Sequence, residues 1–225
     1  MALIELTDVT KIYPLGNQQV VAVNNFTLQI EAGEFCVLAG PSGSGKTTLL
    51  NLIGCLDQPT RGEIRLQGQE VGHAARKELA ALRLHKIGFV FQAYNLIPVL
   101  TAAENAEFTL MLQGLDKVSR RRRVEELFAE LGLAGLEDRK PSDLSGGQQQ
   151  RVAIARALAS DPAVILADEP TASIDSQTSE ELLALMERLN RESGVTFIVS
   201  SHDPLVMAHA SRLIKLVDGH LETAQ

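Results

Sequence analysis

Eight residues constrain this chain more than any other part of it: Gly40-Pro41-Ser42-Gly43-Ser44-Gly45-Lys46-Thr47. They fit the pattern GxxxxGK[ST] in full. They lie between an apolar run, Phe35-Cys36-Val37-Leu38-Ala39, and a stretch that reads as a helix over 46–56. A buried strand feeding a glycine-rich loop that opens a helix is a phosphate cradle. The glycines let backbone N–H groups turn inward, and the helix N-terminus adds the positive end of its dipole. Lys46 is placed to reach the β- and γ-phosphates, and the Thr47 hydroxyl can ligate Mg²⁺. Thr48 follows in the first helical turn. A nucleoside triphosphate site is expected here.

Such a site needs an acid for the metal at the end of a nearby buried strand. The run Ala163-Val164-Ile165-Leu166-Ala167 is continuously apolar and is followed by Asp168 and Glu169. Asp168 suits the Mg²⁺ shell. Glu169, next to it, can polarise a water for in-line attack on the γ-phosphate.

Around these motifs the pattern alternates between strands and helices, as in a parallel α/β fold. Strands are expected at 3–9, 20–30, 35–39, 61–66, 163–167, 195–200 and 212–216, and helices at 149–159 and 180–191. The middle, about 100–139, is rich in Ala, Leu, Glu and Arg, with Val124, Leu127, Phe128 and Leu131 at helical spacing. It reads as a helical insertion closed off by Pro141 and the glycines at 146 and 147.

The charge balance of 21 Lys+Arg against 28 Asp+Glu, net −7, argues against nucleic acid as a partner. Arg120 to Arg123 form a basic block that reads as a solvated helix start, although positive charge there opposes the helix dipole. The longest apolar runs are five residues, far short of the roughly 18–20 that span a bilayer. No basic-then-apolar leader opens the sequence, so no secretory signal or direct bilayer insertion is expected. Cys36 and Cys55 lie among apolar neighbours and read as buried, reduced thiols.

A third motif narrows the reading. Leu144-Ser145-Gly146-Gly147-Gln148 stands ahead of a helix expected to begin near Gln149. Taken alone, the serine and glycines could be a helix N-cap. Combined with the other two motifs, LSGGQ resembles the signature of the ABC (ATP-binding cassette) ATPases, and the resemblance covers essentially the whole chain. It implies an α/β P-loop NTPase fold with a RecA-like core, an N-terminal antiparallel β portion and a helical subdomain. A single domain over 1–225 is implied, with the core at 1–92 and 142–225 and the helical lobe at 93–141.

The resemblance also assigns roles. Glu169, His202, Gln92 and Lys46 are implied as catalytic residues, and Thr47, Gln92 and Asp168 as the metal set. Nucleotide is implied to be held by Tyr13, stacked on adenine, by residues 40–48, by Ser145, Gly146, Gly147 and Gln148, and by Asp175. ATP and Mg²⁺ follow as substrate and cofactor. Two copies sandwiching two ATP molecules are implied, together with a separate membrane permease at the cytoplasmic face of a bacterial inner membrane.

Two stretches, Gly54-Cys55-Leu56-Asp57-Gln58-Pro59-Thr60-Arg61-Gly62 and Ile87-Gly88-Phe89-Val90-Phe91-Gln92-Ala93-Tyr94-Asn95-Leu96-Ile97-Pro98, are similar to the lipoprotein-release and macrolide-export branch. That branch works by mechanotransmission through a four-helix permease. The chain departs from it at Ala172-Ser173-Ile174-Asp175, where Gly-Asn-Leu-Asp is usual. The ATPase partner of a cell-division membrane protein, or of a solute importer, has the same chemistry and stays open on these residues. There is no room for the coiled coils of a DNA-repair ATPase, and no Asn-Lys-x-Asp guanine-reading motif.

Overall fold

A computed structural model describes residues 2–16 and 18–224. Two sheets organise the chain. The first is antiparallel, in the order β2-β1-β4-β5, from β1 (Ala2–Leu15), β2 (Gln18–Glu31), β4 (Arg61–Leu66) and β5 (Gln69–Glu70). The second has six strands: β3 (Phe35–Ala39), β6 (Ile87–Phe91), β7 (Val164–Asp168), β8 (Thr196–Ser201), β9 (Arg212–Val217) and β10 (His220–Ala224). Their order is β10-β9-β3-β8-β7-β6, parallel except for β10.

Strand β3 and the Val164–Ala167 run of β7 read as unbroken apolar runs because both their faces are covered. Every residue of β3 is buried. Phe35 and Val37 join Ile165, Ala167, Phe197 and Val199 on one face, while Cys36 and Leu38 join Leu166, Ile198, Ile214 and Leu216 on the other. This strict alternation is the two-residue period of a strand.

The helices are α1 (Lys46–Ile53), α2 (Arg76–Lys86), α3 (Ala102–Leu112), α4 (Lys117–Glu130), α5 (Gly146–Ala159), α6 (Ser176–Ser193) and the short α7 (Pro204–Ala208). Three helices differ from those expected at one or both ends, and β1 runs on to Leu15 where 3–9 is expected. Helix α1 stops at Ile53 rather than 56, because Cys55 sits at φ 56° and a side chain at Gly54 would meet the Phe89 ring at 2.6 Å. Helix α5 begins at Gly146, three residues early, so the signature glycines form its first turn. Helix α6 runs past 180–191 at both ends, capped by Asp175 and stopped by left-handed Gly194. Helix α2 and strand β6 are elements that the apolar pattern of the sequence leaves unassigned. Only Leu79 is buried in α2, and Gly88 breaks the apolar run of β6 against the backbone of Ala157.

The arginine block is a partial correction. Asp116 caps α4, and Arg121 and Arg122 pair with Glu125 and Glu126 one turn on. Arg120 and Arg121 turn instead to Glu107 of α3, at 3.6 and 3.8 Å, and Arg120 is only 17% exposed. Half the block therefore stitches α4 to α3 rather than being solvated, and Asp116 and Glu107 supply the negative charge that offsets the unfavourable dipole placement.

Cys36 and Cys55 are buried and free, and burial pushes the Cys55 thiol up to about 11. Among the described residues no helix is long and apolar enough to cross a membrane.

Candidate active site

Parallel strands deliver their following loops to one edge of the sheet, and a crevice opens where neighbouring connections diverge. Here β3, β6, β7 and β8 release residues 40–45, Gln92, Asp168-Glu169 and His202 at that shared edge.

The loop after β3 is shaped by close approaches. A side chain at Gly40 would meet the Leu216 carbonyl at 2.3 Å, and one at Gly45, where φ is 101°, would meet the Ala22 carbonyl at 2.3 Å. Only glycine fits both positions. Pro41 and Ser42 stand exposed on the rim. Lys46 is buried, and its Nζ donates to the Gly40 and Pro41 carbonyls at 2.8 and 3.0 Å, so the ammonium spans the mouth of the loop. The Ser44 hydroxyl oxygen is buried with no partner among the described residues. Helix α1 starts from Gly45 without a side-chain cap, leaving its first N–H groups free for an anion.

The acids are held by register. Asp168 lies opposite Phe91 on one side and Ser200 on the other. The Thr47 hydroxyl donates toward both Asp168 carboxylate oxygens, each at 3.1 Å. The Ser200 hydroxyl also donates to Asp168, and the Glu169 amide donates to the Ser200 carbonyl at 3.1 Å. Glu169 takes a left-handed conformation, φ 47°, rare for such a residue. Its carboxylate is reached by the Ser201 hydroxyl at 3.3 Å and by His202 Nδ1 at 2.8 Å. Two carboxylate oxygens beside a hydroxyl form a hard-oxygen donor set of the kind Mg²⁺ takes.

A cavity of about 450 Å³ brings together Ser42, Gly43, Gly45, Lys46, Thr47, Thr48, Gln92, Asp168, Glu169 and His202, with Val20, Val21 and Ala22 along one wall. Ser200 and Ser201 are residues that sequence reasoning passed over as roles. Their signal was visible, two small hydroxyls ending an apolar strand just before His202, but their contacts depend on β8 lying beside β7.

Tyr13 sits at the margin of this cavity. It pairs with Val20 across β1 and β2, and its hydroxyl donates to Asp57 at 2.7 Å. Burial first, then the Asp57 carboxylate, push the phenol up.

The signature residues lie elsewhere. Ser145 caps α5 in a closed box: its Oγ accepts from the Gln148 amide at 3.3 Å while Gln148 Oε1 accepts from the Ser145 amide at 2.9 Å. None of Ser145, Gly146, Gly147 and Gln148 lines the cavity of their own chain. They do meet Asp175 indirectly. A side chain at Gly147 would strike Thr178 Cγ2 at 2.4 Å, and Thr178 donates through both its amide and its hydroxyl to Asp175. Those bonds, the Thr178 hydroxyl first, hold the Asp175 carboxyl below the usual carboxylate range. The structure therefore forms two separate polar surfaces, one around the phosphate loop and one around the signature.

Residues 23–172 match the family model described as ABC transporter. The chain belongs to the ABC transporter family. Within that family it is the ATP-binding cassette, an ATPase domain. It is 47% identical to an ABC transporter ATP-binding protein of Thermotoga maritima, over 97% of this chain and 93% of that one. It is 49% identical to the macrolide export ATP-binding/permease protein MacB of Photorhabdus laumondii, covering 98% of this chain but only 34% of MacB. The solved structure of the ATP-binding cassette MJ0796 bound to ADP and Pi, a dimer in a post-hydrolysis state, superposes with a TM-score of 0.91 at 46% identity, covering 99% of this chain and 97% of that one. The protein named MJ0796 in Methanocaldococcus jannaschii is 48% identical over 98% of this chain and 95% of its own length.

Proposed function

We propose that the chain binds and hydrolyses MgATP as one half of an ATP-sandwich homodimer that drives a separate membrane permease. The observation that carries this is the convergence of Lys46, Thr47, Asp168, Glu169 and His202 on one cavity, with the signature on a different surface. One chain thus has both halves of a site that it does not close by itself. The dimeric, ADP- and Pi-bound cassette to which it is similar supports the same arrangement.

In this reading the loop amides and Lys46 hold the β- and γ-phosphates, and Tyr13 stacks on the base. Thr47, Asp168 and Gln92 would hold Mg²⁺, which supplies charge neutralisation on the phosphate oxygens. Glu169 accepts the proton of the attacking water, and His202 orients Glu169 and the γ-phosphate edge. Ser145, Gly146, Gly147, Gln148 and Asp175 close the site of the partner protomer.

Residues 93–141 act as a lobe riding on a core of 1–92 and 142–225. Between them lies an apolar cleft of about 510 Å³ lined by Leu56, Leu84, Phe89, Phe91 and Leu112, among others. Leu56 and Leu112 of this lining are themselves exposed. This cleft and the adjoining 92–98 segment form the permease dock, at the cytoplasmic face of a bacterial inner membrane. The similarity to the cassette part of MacB favours the lipoprotein-release and macrolide-export branch. Cysteine at Tyr94 or Leu96 should crosslink to the permease in the assembled complex, and consistent absence of crosslinks would remove this dock.

Glu169→Gln tests the central step. The amide keeps the size of the carboxylate but accepts no proton, so turnover should fall by about 10²–10⁴-fold. The phosphate contacts survive, so ATP should produce a stable dimer on size-exclusion chromatography, with the wild type mainly monomeric. Wild-type turnover in this variant would end the assignment of Glu169 as base.

A further inference from the structure

We propose that Lys11 and Asp57 are positioning residues that fix the Tyr13 ring as a preformed platform for the nucleotide base. The inference rests on the reading of Tyr13 as the stacking residue and adds the two residues that orient it.

The Tyr13 hydroxyl donates to Asp57 Oδ2 at 2.7 Å, and Lys11 Nζ donates to Asp57 Oδ1 at 2.6 Å. The same ammonium donates to the Gln58 carbonyl at 2.7 Å and lies 4.9 Å from the centroid of the Tyr13 ring, over its face. The Gln58 amide closes the set on Asp57 Oδ1 at 2.7 Å. Burial pushes the Asp57 carboxyl up, but Lys11, Tyr13 and the Gln58 amide outweigh it and hold it below the usual carboxylate range.

Immobilising a lysine whose side chain is only 12% exposed gives up much of its rotamer freedom and part of its hydration. An ordinary exposed tyrosine at a hairpin needs no such restraint. What the restraint achieves is orientation. The hydroxyl bond sets the tilt of the ring, and the ammonium occupies one face, leaving the other for a flat ligand. A platform held in place before binding avoids the ordering cost that a free side chain would incur.

The position fits a base. The strand partner of Tyr13, Val20, lines the nucleotide cavity, as does Thr48 in the first turn of α1. Asp57 follows α1, and its amide donates to the Asn51 carbonyl of that helix at 3.2 Å. The helix whose N-terminus faces the phosphates therefore carries, past its other end, the carboxylate that holds the ring. Phosphate cradle and base platform are joined through one rigid element of eight residues, about 12 Å long.

The test is a double-mutant cycle, read by the Kd of a fluorescent ATP analogue and by KM and kcat of hydrolysis. Tyr13→Ala should raise Kd about 10- to 100-fold, the usual worth of one base–aromatic stack. Asp57→Asn, Lys11→Met and Tyr13→Phe should each raise Kd and KM about 3- to 10-fold, with kcat within about twofold, because a positioning loss of this kind weakens binding rather than chemistry. In the Tyr13→Ala background, Asp57→Asn and Lys11→Met should add nothing, since their effect passes through the ring. Equal losses with and without the ring, or no loss in any of the three single variants, would overturn the proposal. Full retention of affinity in Tyr13→Ala would instead remove the stacking role of Tyr13. Thermal melts establish which variants are folded. Should Asp57→Asn fail to fold, Lys11→Met and Tyr13→Phe still decide the question.

Discussion

Helices α1 and α5 both have glycines at their N-termini, yet those ends are built in opposite ways. The start of α1 has no side-chain cap, a buried lysine across its mouth and a buried, unpartnered serine hydroxyl. The start of α5 is closed on itself by Ser145 and Gln148. An open N-terminus leaves its donors unsatisfied until an anion arrives, whereas a capped one is content without it. On the proposed function, the first is a site by construction. The second is a face whose use waits for another surface to be brought to it.

The sharpest way to break this contrast is Lys46→Ala. It should abolish turnover, by more than about 10²-fold, and weaken ATP binding, because an electrostatic donor is lost from a site whose charges are largely desolvated. Binding and turnover that both persisted would place the phosphates elsewhere.

Gly147→Ala should separate the two regions. The added methyl must displace Thr178, a cost of about 1–3 kcal/mol, and so tilt the signature face against α6. Turnover should fall about tenfold or more while the Kd for ATP of the isolated chain stays within about twofold. Adding Thr178→Ser removes the obstructing methyl, keeps the hydroxyl bond to Asp175, and should restore most of the loss. A parallel drop in nucleotide affinity would mean the two surfaces are not independent.

Ser145→Ala should have the smallest effect on the free protein. Loss of the cap removes about 1 kcal/mol, a fall of about 2–4 °C in Tm for a chain of this size. Turnover should fall alongside it with affinity intact. An unchanged Tm would show that the box at 145–148 contributes nothing at rest.

The same contrast explains which parts were legible in the sequence. The phosphate loop is local: strand, glycines, lysine and helix follow one another, so residues 35–53 could be read directly, with only the end of α1 misplaced by Gly54 and Cys55. Asp168 and Glu169 were legible as residues because they end an apolar run. Their restraints were not, since Ser200 reaches Asp168 only through the parallel register of β7 and β8. Helix α2 escaped because it is polar and mostly exposed, burying only Leu79 with Leu82 packed partly against the core. The arginine block looked unfavourable because Glu107, its partner, lies on a different helix. The anchoring of the connector after Gln92 was equally hidden: Arg156 of α5 donates to the carbonyls of Tyr94 and Asn95, both of which have positive φ.

The central position of β3 has a consequence for how the molecule comes into being. Its neighbours are β8 and β9, paired through Phe35 with Phe197 and Cys36 with Arg212, so almost the entire intervening chain is a closure loop. Such non-local parallel pairing is slow to form, because the entropy of closure comes before any contact can compensate for it. During synthesis the phosphate-loop segment emerges well before either strand that flanks β3, so the sheet that buries its strand stays incomplete until β8 and β9 follow. Strand β3 is then an exposed, uncharged, wholly apolar segment, the kind that aggregates when left unpaired. The loop proposed to hold phosphate is thus synthesised long before the strands that shape it.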